Sequence, residues 1–291
     1  EGARHAYVKA LTLEGVASDT ISPTIVNCEL ENLNYIRFER NIWSVDDFVG
    51  INDDLNLGID KFHLMADLDF TEWSAANAAA DTKKSSVITQ LMSGTQVDPK
   101  VFDGHGHTIT GLEGASLFGR VCFAEVSNLV MTNSKNLQDA ASASFVSLIA
   151  SRTYLSKFSD LFFSNVSLSG RSQIGFVSGD DGFADVAGKD TRDGGSQFSR
   201  IQVAGGVLQV GASGASNVCY GGFISGRLCM SSLEDIYVQG NLGTYGVSCG
   251  GVAGAITKSA KLNRCVSKVN VTLANSNNNG VLLGDIEPGA F

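Results

Sequence analysis

Proline is nearly missing from this sequence, with three residues in 291. A chain that turns without proline must turn on Gly, Asn, Asp and Ser, and 33 glycines are available for that. There is no run of about 18 apolar residues, so no helical membrane span is read. Positive charge is short: 21 Lys and Arg stand against 30 Asp and Glu. The formal net charge of −9 argues against nucleic acid and anionic lipid as partners. The cysteines, Cys28, Cys122, Cys219, Cys229, Cys249 and Cys265, form no C-x-x-C pair, which speaks against a zinc ribbon. As small apolar residues they suit a core, and their even number leaves disulfides open. Histidine is rarer still: His5, His63, His105 and His107. None is followed by Glu, so the H-E-x-x-H zinc-peptidase motif is lacking, as is a P-loop. We recognise no catalytic motif and expect no enzyme activity. The start at Glu1-Gly2-Ala3, without Met or signal peptide, reads as a processed fragment.

A repeat is present. An apolar residue, one more residue and a small residue recur as Leu117-Phe118-Gly119, Ile149-Ala150-Ser151, Val177-Ser178-Gly179, Ile224-Ser225-Gly226, Val252-Ala253-Gly254 and Leu282-Leu283-Gly284. The third members are spaced 32, 28, 47, 28 and 30 apart. A second apolar position follows ten residues after the third member as Leu129, Leu161 and Ile236, eleven after as Cys265, and twenty-two after as Ile201, where a 12-residue insertion intervenes. A period of about 30 with short strand-like runs and no long helical pattern points to stacked coils, each burying the next one's apolar face. The six aliphatic first members form an inward column, and the small third member marks a corner where glycine permits positive φ. The expected fold is all-β: a right-handed parallel β-helix over 1–291 as one domain, with N-terminal coils to about residue 100.

Upstream, Ser44-Val45-Asp46-Asp47 is a capping-box-like start, and Val45, Phe48, Val49 and Leu55 keep helical spacing. This predicts a short helix near 45–53, covering the open end of the stack or packing on its side. Phe62–Phe70 reads as a strand, 75–91 as a partly helical excursion, and Val101–Leu112 as a return to the stack. Tyr7–Leu11 and Tyr35–Phe38 are strand-like and suit earlier coils.

Trp43-Ser44-Val45-Asp46-Asp47-Phe48, His63 to Phe70, Phe102-Asp103-Gly104-His105-Gly106-His107-Thr108-Ile109 and Leu117-Phe118-Gly119 together resemble a GLUG-repeat protein, as do Gly221-Gly222-Phe223 and Gly250-Gly251-Val252. The resemblance covers roughly residues 43–284. Such repeats occur in immunoglobulin A peptidases and large bacterial surface adhesins, and they mark a fold more than an activity. The resemblance implies an extracellular or cell-surface setting. The coil at Ser151 departs from the pattern by lacking the glycine pair, and the 47-residue coil is unusually long.

Three groups of residues are candidates for a site. The insertion after Gly179 reads as a surface loop carrying Asp180, Asp181, Asp185, Asp190 and Asp193. It is either a solvated acidic loop or a calcium loop, with Asp180, Asp181 and Asp185 as ligands. The residues following the third members include Arg120, Arg152, Asp180 and Arg227. They read as an ionic ladder that staples coils, or as a charged strip for a partner. Asp103, His105 and His107 suit either a turn or a metal or acid–base group, with both histidines on one side. The leading expectation is a non-catalytic module, a stalk or adhesin, that meets a host or neighbouring-cell protein or a glycan. The alternatives are a carbohydrate-active β-helix enzyme and a structural assembly element.

Overall fold

The chain divides into two units, Glu1–Ile36 and Arg37–Phe291. The computed structural model describes residues 39–56, 58–93, 98–138, 143–182, 194–211, 219–245, 248–273 and 278–287. The strand-like runs Tyr7–Leu11 and Tyr35–Phe38, together with Asp185, Asp190 and Asp193, lie outside the described residues.

The described chain is mostly β, with two helices among its described residues. Among the described residues every strand pairing is parallel, which is consistent with a β-helix. A seven-stranded sheet stacks Ser86–Met92, Ser116–Cys122, Ala150–Tyr154, Ser178–Asp181, Ser225–Leu228, Ala253–Ile256 and Leu283–Ile286 in chain order. A 16-stranded sheet includes Lys61–Leu64, Lys100–Asp103, Ala124–Thr132, Lys157–Ser164, Gln197–Val210, Ser232–Thr244 and Lys261–Leu273. Its register sets Leu129, Leu161, Ile201, Ile236 and Cys265 side by side, as the offset in the sequence predicts.

The inward column holds as well. Leu117, Ile149, Val177, Ile224 and Val252 are all buried, and Leu282 packs against them half-buried. Aromatic rings stack within the buried core. Phe158 and Phe198, register partners, stack at 5.3 Å, and Phe176 lies 5.4 Å from Phe223.

The small third members act differently from the expectation. Gly119, Gly179, Gly226, Gly254 and Gly284 lie inside strands, and their φ is not positive. What excludes a side chain there is crowding. A Cβ at Gly119 would meet the Thr89 carbonyl, and one at Gly254 would meet the Gly221 amide and the Gly226 carbonyl. Glycine thus lets neighbouring backbones approach closely.

The predicted helix is present as α1, Val45–Asn56. Ser44 Oγ accepts from the Asp47 amide at 3.1 Å, and Asp47 Oδ2 accepts from the Trp43 amide at 3.1 Å, completing the cap. Phe48 and Ile51 point into the core, with Phe48 5.5 Å from both Phe70 and Phe102. Asn52 lies against the edge strand Ser86–Met92. Its Oδ1 accepts from the Thr89 amide at 2.9 Å and its Nδ2 donates to the Val87 carbonyl at 3.1 Å. Among the described residues this strand ends the sheet, and one side chain thereby takes the place of a strand partner there. The predicted strand from Phe62 is broken into Lys61–Leu64 and Leu68–Asp69, and α2, Thr71–Ala79, follows.

Candidate functional site

Asp180 and Asp181 are not on a surface loop. Both belong to strand Ser178–Asp181 and are fully buried. The insertion reads as starting right after Gly179 because Asp-Asp-Gly is turn chemistry. In the structure the strand continues through both aspartates. Asp181 shares its column with Leu91, Val121 and Thr153. Its Oδ1 accepts from Thr153 Oγ1 at 2.7 Å, and its Oδ2 accepts from the Ser196 amide at 3.1 Å and from Ser231 Oγ. These oxygens are committed to protein donors, which removes Asp181 from the three aspartates read as calcium ligands. Burial pushes the carboxyl up to about 6 despite the bonds it accepts.

The ladder holds in register. Arg120 pairs with Arg152, Arg152 with Asp180, and Asp180 with Arg227. It is not an exposed strip. Asp180 is buried, the Arg152 guanidinium lies 4.0 Å over the Phe145 ring, and Arg227 is engaged by Glu287 at 3.0 Å. Arg227 also stacks over Tyr220 at 5.1 Å.

A second ladder escaped the sequence reading. Asn128, Asp160, Arg200, Asp235 and Arg264 each have φ between 50° and 56°, and each is skipped in the strand register. They form a column of left-handed bends, one per strand, that turns successive side chains outward. Arg200 donates from Nε and Nη2 to both Asp160 oxygens at 2.6 Å, and Arg264 bonds Asp235 and Glu234. The hydrogen bonds from Arg200 hold Asp160 below the usual carboxylate range, and those from Arg264 do the same for Asp235. The signal was present as the residue before each apolar member in Ser-Asn-Leu, Ser-Asp-Leu, Ser-Arg-Ile and Glu-Asp-Ile. Beside this column lies a shallow depression of about 200 Å³, lined by Glu125, Ser127, Lys157, Ser159, Gln197 and Arg200 among others.

The histidines part company. His107 Nδ1 lies 3.2 Å from Asp67. His105 instead meets His63, with His63 Nδ1 and His105 Nε2 2.9 Å apart. The two histidines do not share one side because the chain between them turns: φ is 49° at His105 and 78° at Gly106. The turn is held by Asp103, whose Oδ1 accepts from the His105 amide and from Asn128 Nδ2, each at 2.9 Å. A Cβ at Gly104 would strike the Asn128 carbonyl, so glycine is required there. His63 reaches the group because strand Lys61–Leu64 pairs with Lys100–Asp103, His63 opposite Asp103. The three ligand atoms of His63, Asp103 and His105 lie within 4.8 Å of one another. Glu39, held below its usual range by Lys61 Nζ at 2.6 Å, places Oε2 3.5 Å from His63 Nε2.

No G-x-S-x-G elbow is read from the sequence, yet one stretch carries those letters. Gly246-Val247-Ser248-Cys249-Gly250 spells G-x-S-x-G. Ser248 opens strand Ser248–Gly250 and is buried beside the buried Cys249, so it does not sit on an exposed strand-to-helix elbow. Cys122, Cys219, Cys229 and Cys249 are buried thiols, and Cys265 is half-buried.

No family model and no curated protein matches the chain. Among solved structures, a candidate immunoglobulin A1 protease from Bacteroides ovatus is similar, at 14% identity and a TM-score of 0.52. The match spans 86% of this chain and 83% of that one. A chain named IgA1 protease aligns over 89% of this chain at 14% identity. This chain spans 21% of that protein's length, and the TM-score of 0.48 carries no argument. At such identity the first likeness speaks for the fold alone.

Proposed function

We propose that the chain is a non-catalytic module, a stalk or adhesive segment, of a larger bacterial protein that is secreted or held at the cell surface. In this reading its coils form a right-handed parallel β-helix of the GLUG type. Its partner is a host or neighbouring-cell protein or a glycan. The carrying observation is the outward column Asn128, Asp160, Arg200, Asp235 and Arg264, which runs in step along five coils. Repeated polar side chains at one-coil spacing suit an extended contact better than a single reacting centre. The depression beside them supports the same reading, since it brings together one carboxylate, Glu125, with Lys157 and Arg200. Glycoside hydrolysis generally needs a pair of carboxylates.

The test is a glycan array and a host-protein binding screen, run beside polysaccharide-degradation and peptidase assays on the same preparation. Saturable binding without turnover, weakened by Arg200→Glu and Arg264→Glu together, supports the module. Turnover of any polymer would replace it with the enzyme reading.

A further inference from the structure

We propose that His63, Asp103 and His105 form a binding site for a divalent transition-metal ion of the zinc and nickel class. The ligands come from adjacent coils. His63 stands on strand Lys61–Leu64, Asp103 ends the paired strand Lys100–Asp103, and His105 sits on the turn that follows. The three ligand atoms already converge within 4.8 Å, which is the prerequisite for a shared ion. Two imidazole nitrogens and one carboxylate oxygen are a borderline donor set. It favours zinc, nickel or copper over calcium or magnesium, which take all-oxygen shells.

The surroundings are organised in the way a metal site needs. Asp103 spends Oδ1 on the His105 amide and Asn128, which leaves Oδ2 facing the ring of His105 at 3.7 Å. His63 Nε2 is buried and makes no hydrogen bond. With an ion on Nδ1 that nitrogen must carry the proton, and Glu39 Oε2 at 3.5 Å is placed to receive it. A carboxylate behind a ligating histidine fixes its tautomer and raises its basicity. Lys61 anchors Glu39 from the other side at 2.6 Å.

The 2.9 Å between the two ring nitrogens is a hydrogen-bonding distance. Two nitrogens each about 2.0–2.1 Å from one tetrahedral ion stand a few tenths of an ångström further apart. His105 can supply that movement, because it sits on a turn with 44% of its side chain exposed. The bound ion would clamp two coils together and keep a coordination position open on the solvent side.

The test is calorimetric titration of tag-free, chelator-stripped protein with zinc chloride, nickel chloride and, for comparison, calcium chloride. The expected result is one zinc per chain, little heat from calcium, and a higher melting temperature with zinc. His105→Asn, a residue that tolerates the left-handed turn, should abolish stoichiometric binding while the metal-free melting temperature stays near that of the parent. Glu39→Gln should weaken zinc about 10–100-fold. His107→Ala, in the neighbouring pair with Asp67, should leave it unchanged. Absence of stoichiometric zinc or nickel binding, or binding that survives His105→Asn, overturns the site.

Discussion

Asp181→Asn tests whether a carboxyl has been built into the apolar interior at a pH-dependent cost. The folded protein raises this carboxyl from 3.8 to about 6, chiefly by removing it from water. The native state therefore holds the proton more tightly than the unfolded chain. Its contribution to stability is complete below the unfolded value of 3.8 and is lost as the pH rises through about 6. At about 1.4 kcal/mol for each tenfold change in proton affinity, the full loss is about 3 kcal/mol, of which about 2.4 falls between pH 4 and pH 7.

Glu39, Asp47, Asp67, Asp69, Asp160 and Asp235 are shifted the opposite way and gain stability as the pH rises. The difference between parent and variant cancels them. Asparagine can keep the bonds by turning its carbonyl toward the Ser196 amide and Ser231 and its amide toward Thr153 Oγ1, which can pass its own proton to Ser178 at 2.8 Å. Urea unfolding followed by circular dichroism at several pH values should find the two proteins equal near pH 4. The variant should be more stable by about 2–3 kcal/mol near pH 7. Parallel stability curves, offset by a constant, would refute the reasoning.

Asp180→Ala leaves Arg152 and Arg227 one coil either side of a buried gap, and should lower stability by about 3 kcal/mol, read from the same urea transitions. Asn52→Ala strips the Thr89 amide and the Val87 carbonyl of their partner at the sheet edge, and should lower stability by about 1–2 kcal/mol, with faster hydrogen exchange confined to residues 86–92. Burial pushes the Cys249 thiol up to about 11, so iodoacetamide near pH 8 should label Cys265 well before Cys249. Peptide mapping by mass spectrometry reads this, and equal labelling of both cysteines without denaturant would contradict the burial.

Several features were legible because they depend on neighbours in the chain or on a repeat. The cap at Ser44 is such a feature, as is the step that aligns Leu129 with Leu161, Ile201, Ile236 and Cys265. Apolar columns recur in sequence because each parallel strand must present the same face as its neighbour. The Arg152, Asp180 and Arg227 ladder followed from the same alignment.

What the sequence determined by itself was the stacking of parallel strands, the columns that face inward, the capped helix and the side-by-side order of ladder residues. The tertiary structure decided three things beyond this. It decided that Asp180 and Asp181 belong to a buried strand, because a strand's end is set by the partners it finds in neighbouring strands rather than by its turn-prone residues. It decided that the strand glycines serve close approach between backbones, a distance between strands that local composition does not encode. It decided that His63 meets His105 while His107 turns away to Asp67. His63 and Asp103 are forty residues apart with α2 between them, and only the pairing of their strands makes them neighbours. Local propensity acts over a few residues. A site assembled across paired strands depends on register, and register is fixed only when the strands bury one another's apolar faces.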